Sequence, residues 1–568
     1  MKILHAWLIA ICLSTASWSN ENELNAKIVQ FAQSPEWLGH FFYDGTQGSY
    51  TSLVESNQYF FSKTGKYNPE DELREVLRQL NSAEPIQEEN YCHYIGRYEM
   101  VLSKFPEIRK PFHTCRAFET WSQQLSVDEI RLAFATGYMK NPASSFGHLF
   151  LKLVSKKASA ESLNYAINFS AQTGSDTGAL YALKGLFGEY HGGFSFLPYH
   201  QLIKDYSDLE GRDIWELDLN LDESGRRRLL YFIYEFDSNY IEYTFLNRNC
   251  AGVLEKLIYY LRGKSHSTFP SFKPWTLPIE SFKKIADDVN PKHFFYFPSL
   301  KTQLLGMEQQ LSQGERVKIK NEVYTKDYTK LNSRELDFVV LDKKINEKPL
   351  DENYYLALLK ARSRIDEVSG FKETEGNSTH MPDVLNTPRL ASLGAAIWER
   401  GARLDLDFLN EQMIHGRSLS EIKALNFHLL SNDEDGRIAV NEVGIFSFLA
   451  AEAINFLHTP LSYGGGIKYR DQVGLASDAS VGYILDGKKW IYFPKLRFEI
   501  DRFHTEFTPE VDVLFFSEFA NWKINFNHKN VQLEFFKRVK DDVYMNLIFL
   551  HDKRTLTPET SFGITKFF

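Results

Sequence analysis

Trp522-Lys523-Ile524-Asn525-Phe526-Asn527 puts an apolar side chain at every second position, and Val531, Leu533 and Phe535 carry the pattern on across Gln532 and Glu534. A period of two marks a strand with one apolar and one polar face. Earlier in the chain, Leu496, Phe498 and Ile500 alternate with Lys495, Arg497, Glu499 and Asp501. Ala402, Leu404, Leu406 and Phe408 alternate with Arg403, Asp405 and Asp407. Asp435-Gly436 is a hairpin turn signal. About eight to twelve such segments of roughly ten residues fit between 389 and 568, and a tilted strand of that length crosses a bilayer. The expectation for 389–568 is an antiparallel β-barrel or barrel-like sheet.

A soluble sandwich shows the same alternation, so the choice rests on other features. Aromatic residues make up 15% of the chain, with 45 Phe and 29 Tyr. Many lie in the last third, where a membrane barrel needs interfacial girdles. The terminal Phe568 after an alternating strand resembles the C-terminal signature of bacterial outer-membrane barrels, although Lys566 shares its face with Ile564. At the other end, Lys2, the apolar stretch Ile3 to Leu13 and Ser17-Trp18-Ser19 read as a signal peptide over 1–19. Ile11 precedes Cys12 where a lipoprotein box needs a small residue. The chain is expected in the cell envelope of a Gram-negative bacterium, at the periplasm and outer membrane.

Three cysteines follow the signal: Cys92, Cys115 and Cys250. Cys92 and Cys115 are close enough to pair, which leaves Cys250 over. In an oxidising compartment a spare thiol is a hazard unless it has a job. Cys250 closes Asn247-Arg248-Asn249-Cys250, just before the helical stripe Val253, Leu254, Leu257, Ile258 and Leu261. Backbone N–H groups at a helix start favour the thiolate, the nucleophilic form.

The rest of the chain divides by periodicity. Residues 20–118 read as a helical domain stapled by Cys92–Cys115. Residues 119–300 read as α+β, with strands at Ile130 to Tyr138, His148 to Val154, Leu163 to Ser170 and Asp213 to Leu219, and a helix from Ser224 to Phe236. Residues 301–388 read as a polar connector with helical pieces. The net charge of −9 argues against a nucleic-acid partner. Arg226-Arg227-Arg228 is better read as a solvated helix face.

A thiol nucleophile needs a base and a group to orient that base. His148 opens a strand after the turn-rich loop Asn141 to Gly147, so it can project into a cleft. Asn164 and Asn168 share one face of the next strand, and either amide can fix the imidazole; Asn168 is preferred. Ser145, Asn164, Tyr190 and His191 are candidate substrate contacts. Zinc, phosphate-loop and serine-elbow motifs are absent from the sequence, and neither a metal nor a cofactor is expected.

Asn-Pro-Ala-Ser-Ser-Phe-Gly-His at 141–148, Leu-Asn-Tyr-Ala-Ile-Asn-Phe at 163–169, Lys-Gly-Leu-Phe-Gly-Glu-Tyr at 184–190 and Asn-Arg-Asn-Cys at 247–250 resemble the Lnb N-terminal periplasmic domain family. The order of His, polar strand and Asn-Cys also resembles circularly permuted papain-like folds of the NlpC/P60 type. The resemblance covers roughly 120–300. It implies Cys250 as nucleophile, His148 as base and acyl transfer to lipoproteins near outer-membrane lipid. His191 departs from the family pattern, which has Pro-Gly there. Two rivals stand beside this reading. One is a peptidoglycan amidase or peptidase with the same dyad, and the other a non-enzymatic binding module in which Cys250 is inert. Tyr190, Phe194 and Phe196 are expected near the cleft, where they suit acyl chains.

Overall fold

The computed structural model describes residues 22–567 except 113, 138–146, 161–162, 177–183, 186–187, 265–274, 347–350, 367–376, 379–391, 399–400, 412–420, 433–437, 451–455, 471–472, 487–488, 503, 518–519, 541–542 and 553–557. Residues 1–19, expected to form a signal peptide, together with Ser145 and Phe568, lie outside the described residues. The chain forms two compact units, one up to Gln303 with a short strand near 377, the other from Leu304 onward.

The first unit begins with helices α1 (Pro35–His40), α2 (Pro69–Leu80), α3 (Glu88–His93), α4 (Ile95–Lys104) and α5 (Arg116–Leu125). Cys92 on α3 is disulfide-bonded to Cys115, the residue before α5. These helices share a core with the residues that follow. Fully buried Arg97 donates to Glu235 (2.6 Å), to Glu72 (3.0 Å) and to the Tyr59 carbonyl (2.8 Å). His40 lies between Glu235 (3.1 Å) and the Tyr260 hydroxyl (3.0 Å). Burying so many charges is tolerable only because each meets a partner. In the sequence such residues look like an ordinary solvated helix face.

An eight-stranded antiparallel sheet follows: β1 (Glu129–Ala135), β2 (His148–Val154), β3 (Tyr165–Gln172), β4 (Tyr190–Pro198), β5 (Ile214–Asp218), β6 (Ile241–Tyr243), β7 (Phe294–Phe297) and β8 (Asn377–Ser378). Their spatial order is β8-β7-β5-β1-β2-β3-β4-β6. Helices α6 (Glu223–Glu235), α7 (Cys250–Leu261) and α8 (Pro278–Val289) complete the unit. α7 has a buried residue at nearly every position, so it runs through the core.

The second unit opens with α9 (Leu300–Gln310), α10 (Gln313–Thr325), α11 (Ser333–Asn346) and α12 (Glu352–Ser363). The expected polar connector is therefore a helical bundle with its own core of Leu304, Leu311, Ile319, Leu336, Phe338 and Leu358. Its helices carry few apolar residues and little amphipathic periodicity, which is why the sequence reads as a polar connector. Phe456 and Leu457 pack against this core, and His458 faces buried Asp342 at 2.9 Å.

Twelve antiparallel strands then close into a barrel: β9 (Ser392–Trp398), β10 (Gly401–Glu411), β11 (Glu421–Asn432), β12 (Ile438–Ala450), β13 (Ser462–Arg470), β14 (Gly474–Gly482), β15 (Trp490–Ile500), β16 (Thr505–Phe516), β17 (Asn521–Asn527), β18 (Asn530–Lys540), β19 (Val543–Asp552) and β20 (Pro558–Phe567). Closure is made where β9 pairs with β20, Ser392 opposite Phe567. A closed ring leaves no unpaired edge, which is what lets strands enter lipid. Leu496, Phe507, Trp522 and Phe526 face outward and are exposed. Inside, Arg470 pairs with Glu442 (3.0 Å) and Glu499 (2.5 Å), Arg497 with Asp478 (3.0 Å), and Lys495 with Asp512 (2.6 Å). An apolar exterior over a charged interior is the reverse of a soluble barrel and matches a transmembrane one. A cavity of about 330 Å³ lies among Asp407, His428, Glu442, Lys468, Asp478 and Arg497. Ile484, Ile491, Phe493 and Leu514 form a buried apolar cluster with Leu449, Phe516 and Phe536, at the rim where β15 begins and β16 ends. Among the described residues no helix is long and apolar enough to cross a membrane.

Candidate functional site

Cys250 is the first residue of α7 and is almost fully buried, 3% exposed. The Asn249 side chain builds the turn that presents it. Its Oδ1 accepts from the N–H groups of Ala251 (2.9 Å) and Gly252 (3.1 Å), and its Nδ2 donates to the carbonyls of Phe245 (2.9 Å) and Thr276 (2.8 Å). Asn247 Oδ1 accepts from the Thr244 hydroxyl at 2.7 Å. A Cβ on Gly252 would fall 1.9 Å from the Asn247 carbonyl oxygen, so this helix start admits only glycine there.

His148 begins β2. The glycine before it, Gly147, has φ +93°, and a Cβ there would lie 2.3 Å from the Phe134 ring. The turn into β2, and with it the position of His148, therefore depends on glycine. His148 Nε2–H donates to Asn168 Oδ1 at 2.6 Å, which leaves Nδ1 as the basic nitrogen. Strand register explains why Asn168 is the partner: it stands opposite Phe150 on the face that His148 also uses.

The backbone N–H of Leu149, next to His148, is directed at the Cys250 sulfur, as are those of Ala251 and Cys250. The two halves of the site therefore meet at the start of β2. Two residues that the sequence did not suggest complete it. Tyr206 packs on the His148 ring, with centroids 5.5 Å apart. Arg212, buried at 1% exposure, sits 4.7 Å over the Tyr206 ring. Tyr206 lies in the π-helical turn Ile203–Leu209, and Arg212 in the short link from there to β5. Both come from a polar, irregular stretch that carries no periodic signal.

Burial dominates the electrostatics. It raises the Cys250 thiol from its ordinary 9.0 to about 11, against the pull of the Leu149 N–H and the Arg212 charge. The helix start helps the thiolate, as expected, but desolvation outweighs it. Burial also lowers His148 to about 4, against the Asn168 hydrogen bond, with Arg212 lowering it further. At neutral pH the thiol is thus held protonated and the imidazole neutral. Such a thiol can act as a nucleophile once a base takes its proton, and backbone donors converge on this sulfur.

The other sequence candidates are placed elsewhere. Asn164 lies just before β3, opposite the far end of β2 from His148, and its Oδ1 accepts from the Ser155 N–H (2.9 Å). Its sequence parity with Asn168 hid the difference, because only hairpin register separates them. Tyr190 donates to Asp176 (3.0 Å), and exposed His191 stacks on Tyr240 with ring centroids 3.9 Å apart. His191 is paired with Gln172, four residues beyond Asn168 on β3, or about 13 Å along the strand. Phe194 packs against Phe169, Phe232 and Phe236. Phe196 stacks on Tyr165.

Residues 117–287 match the family described as the Lnb N-terminal periplasmic domain, and residues 29–104 match a domain of unknown function, DUF7843. No curated protein matches the chain. Solved structures with a similar portion include the KdgM porin (8% identity, 31% of this chain and 98% of that one, TM-score 0.23). Outer membrane phospholipase A from Escherichia coli is another (10%, 32% and 93%, TM-score 0.21). A third is the outer membrane protein Omp33 of Acinetobacter baumannii (9%, 32% and 100%, TM-score 0.20). The chain is a Gram-negative envelope protein of the periplasm and outer membrane, with an Lnb-type domain ahead of a twelve-stranded barrel.

Proposed function

We propose, from the match of residues 117–287 to the Lnb N-terminal periplasmic domain family, that this chain is a cysteine-dependent acyl-transfer enzyme working at the outer membrane. The observation that carries the reading is the site at the start of β2: a buried Cys250 at a capped helix start, whose sulfur receives the backbone N–H of Leu149, the residue after a His148 held by Asn168. Cys250 attacks an acyl carbonyl while His148 Nδ1 takes the thiol proton. The carbonyl becomes a tetrahedral oxyanion, then a thioester as the leaving oxygen departs with that proton. An amine, deprotonated by His148, attacks the thioester and releases the thiol.

Because both groups are neutral at rest, proton transfer accompanies attack instead of preceding it. N–H groups around the sulfur are suited to the developing oxyanion. The barrel supports a lipid-borne acyl donor and a lipoprotein acceptor, since it anchors the chain in the membrane that holds both. The test is product analysis of the detergent-purified protein with phospholipid and a diacylated lipoprotein peptide, alongside Cys250→Ala. Acylated peptide from wild type alone supports the reading. Cleaved peptidoglycan with no acyl product would replace it by an amidase.

A further inference from the structure

We propose that Arg212 is the positioning residue of this thiol site, gripping the strand end beside His148 and supplying the positive charge that steadies Cys250 as it becomes a thiolate; this rests on the Cys250–His148 reading above. Arg212 Nε donates to the Thr136 carbonyl (2.5 Å) and Nη2 to the Ala135 carbonyl (3.0 Å). Ala135 is the register partner of His148, so the guanidinium fork fixes the backbone against which the imidazole stands. Nη1 donates to Glu210 at 2.9 Å, which leaves the cation only partly neutralised by a carboxylate that reaches solvent. Its flat face lies on Tyr206, and Tyr206 in turn packs on His148.

A buried arginine costs much desolvation, and holding two carbonyls at a strand end does not require a full charge. The charge has a use if an anion forms nearby. Attack by Cys250 creates that need, because a thiolate at 3% exposure has little water to stabilise it. The same cation opposes protonation of His148 and favours deprotonation of Cys250. It therefore biases the proton toward leaving the pair, as release to a leaving group requires. Arg212 is the charged group that acts on both members of the pair, while Tyr206, which packs on His148, feels Arg212, Cys250, Glu210 and Asp205.

The experiment is the pH profile of Cys250 alkylation by iodoacetamide in the full-length protein in detergent, with mass mapping and a thermal melt for each variant. Arg212→Met is expected to move the profile to higher pH and to slow labelling at pH 8 by about twofold or more, the net effect of half a pH unit once the more basic thiolate's higher nucleophilicity is counted. Arg212→Lys keeps the charge and loses the fork, so it is expected to keep the profile while lowering the melting temperature. Glu210→Gln removes the neutralising carboxylate and leaves the fork in place, so it is expected to shift the profile the opposite way. Should Arg212→Met fail to fold, Glu210→Gln and Arg212→Lys decide. Superimposable profiles for the Arg212 and Glu210 variants, beside slowed labelling for His148→Ala, would overturn the inference and leave the dyad standing. An unchanged labelling rate for His148→Ala would sink both.

Discussion

Carrying Cys250 from its native pocket into urea should make it more reactive, not less. In the folded protein, burial holds the thiol at about 11, against an ordinary 9.0. Below pH 9 that gap leaves roughly a hundredfold less thiolate than in the unfolded chain. A more basic thiolate is the better nucleophile, and with a Brønsted slope near 0.4–0.5 this returns about tenfold. The net expectation is native labelling about tenfold slower than unfolded labelling at pH 7.5, before steric protection is counted. The measurement is the iodoacetamide rate at the Cys250 peptide, with and without urea, under non-reducing conditions that keep Cys92–Cys115 closed. The native rate should still be climbing above pH 9. A native rate faster than the unfolded one, levelling off below pH 8, would mean a preformed thiolate and would refute the account of a site neutral at rest.

Other expectations follow from the same structure. With His148 lowered to about 4, the acid limb of kcat/KM should fall near pH 4 and not near 6.5, so a pH–rate profile should show activity retained at pH 5. Asn168→Ala removes the hydrogen bond that orients the ring. It should lower kcat by about tenfold, equivalent to roughly 1.4 kcal/mol, while leaving the melting temperature nearly unchanged. Glu235 is pushed up by burial but pulled down further by Arg97 and His40, to about 2. Its stabilisation is therefore full above pH 4.5 and is lost as the pH falls toward 2. Arg97→Met strands two buried carboxylates and should cost about 3–5 kcal/mol in denaturant titration. The apolar cluster around Phe493 should keep the barrel silent in planar bilayers, with Phe493→Ser producing ion steps; a wild-type barrel that conducts would contradict this.

Much of this molecule was legible because periodicity reports burial. β2 runs from His148 to Val154, the bounds expected of it, and α7 begins just before its apolar stripe, as expected. The barrel was legible for the same reason, since lipid outside and charge inside force a strict period of two. What escaped were features set by contacts distant in sequence. Arg212 and Tyr206 sit in a π-helical turn and the link after it, and only the fold brings them to His148. The choice between Asn168 and Asn164 depended on a hairpin register that four residues of one strand cannot reveal. The buried ion network that joins the N-terminal helices to α6 is written in Arg and Glu, residue types whose usual place is the surface.

Twelve is an even number, and that has a consequence for supply. Ser392 and Phe567 meet across the closing seam, so the chain enters and leaves the bilayer at a single rim. No described helix provides another crossing. For a reaction of the proposed kind, lipids held in that bilayer arrive by lateral diffusion, at a local density far above any dissolved concentration. The even strand count thus puts both ends of the barrel's own strand sequence on one face of the reservoir it sits in.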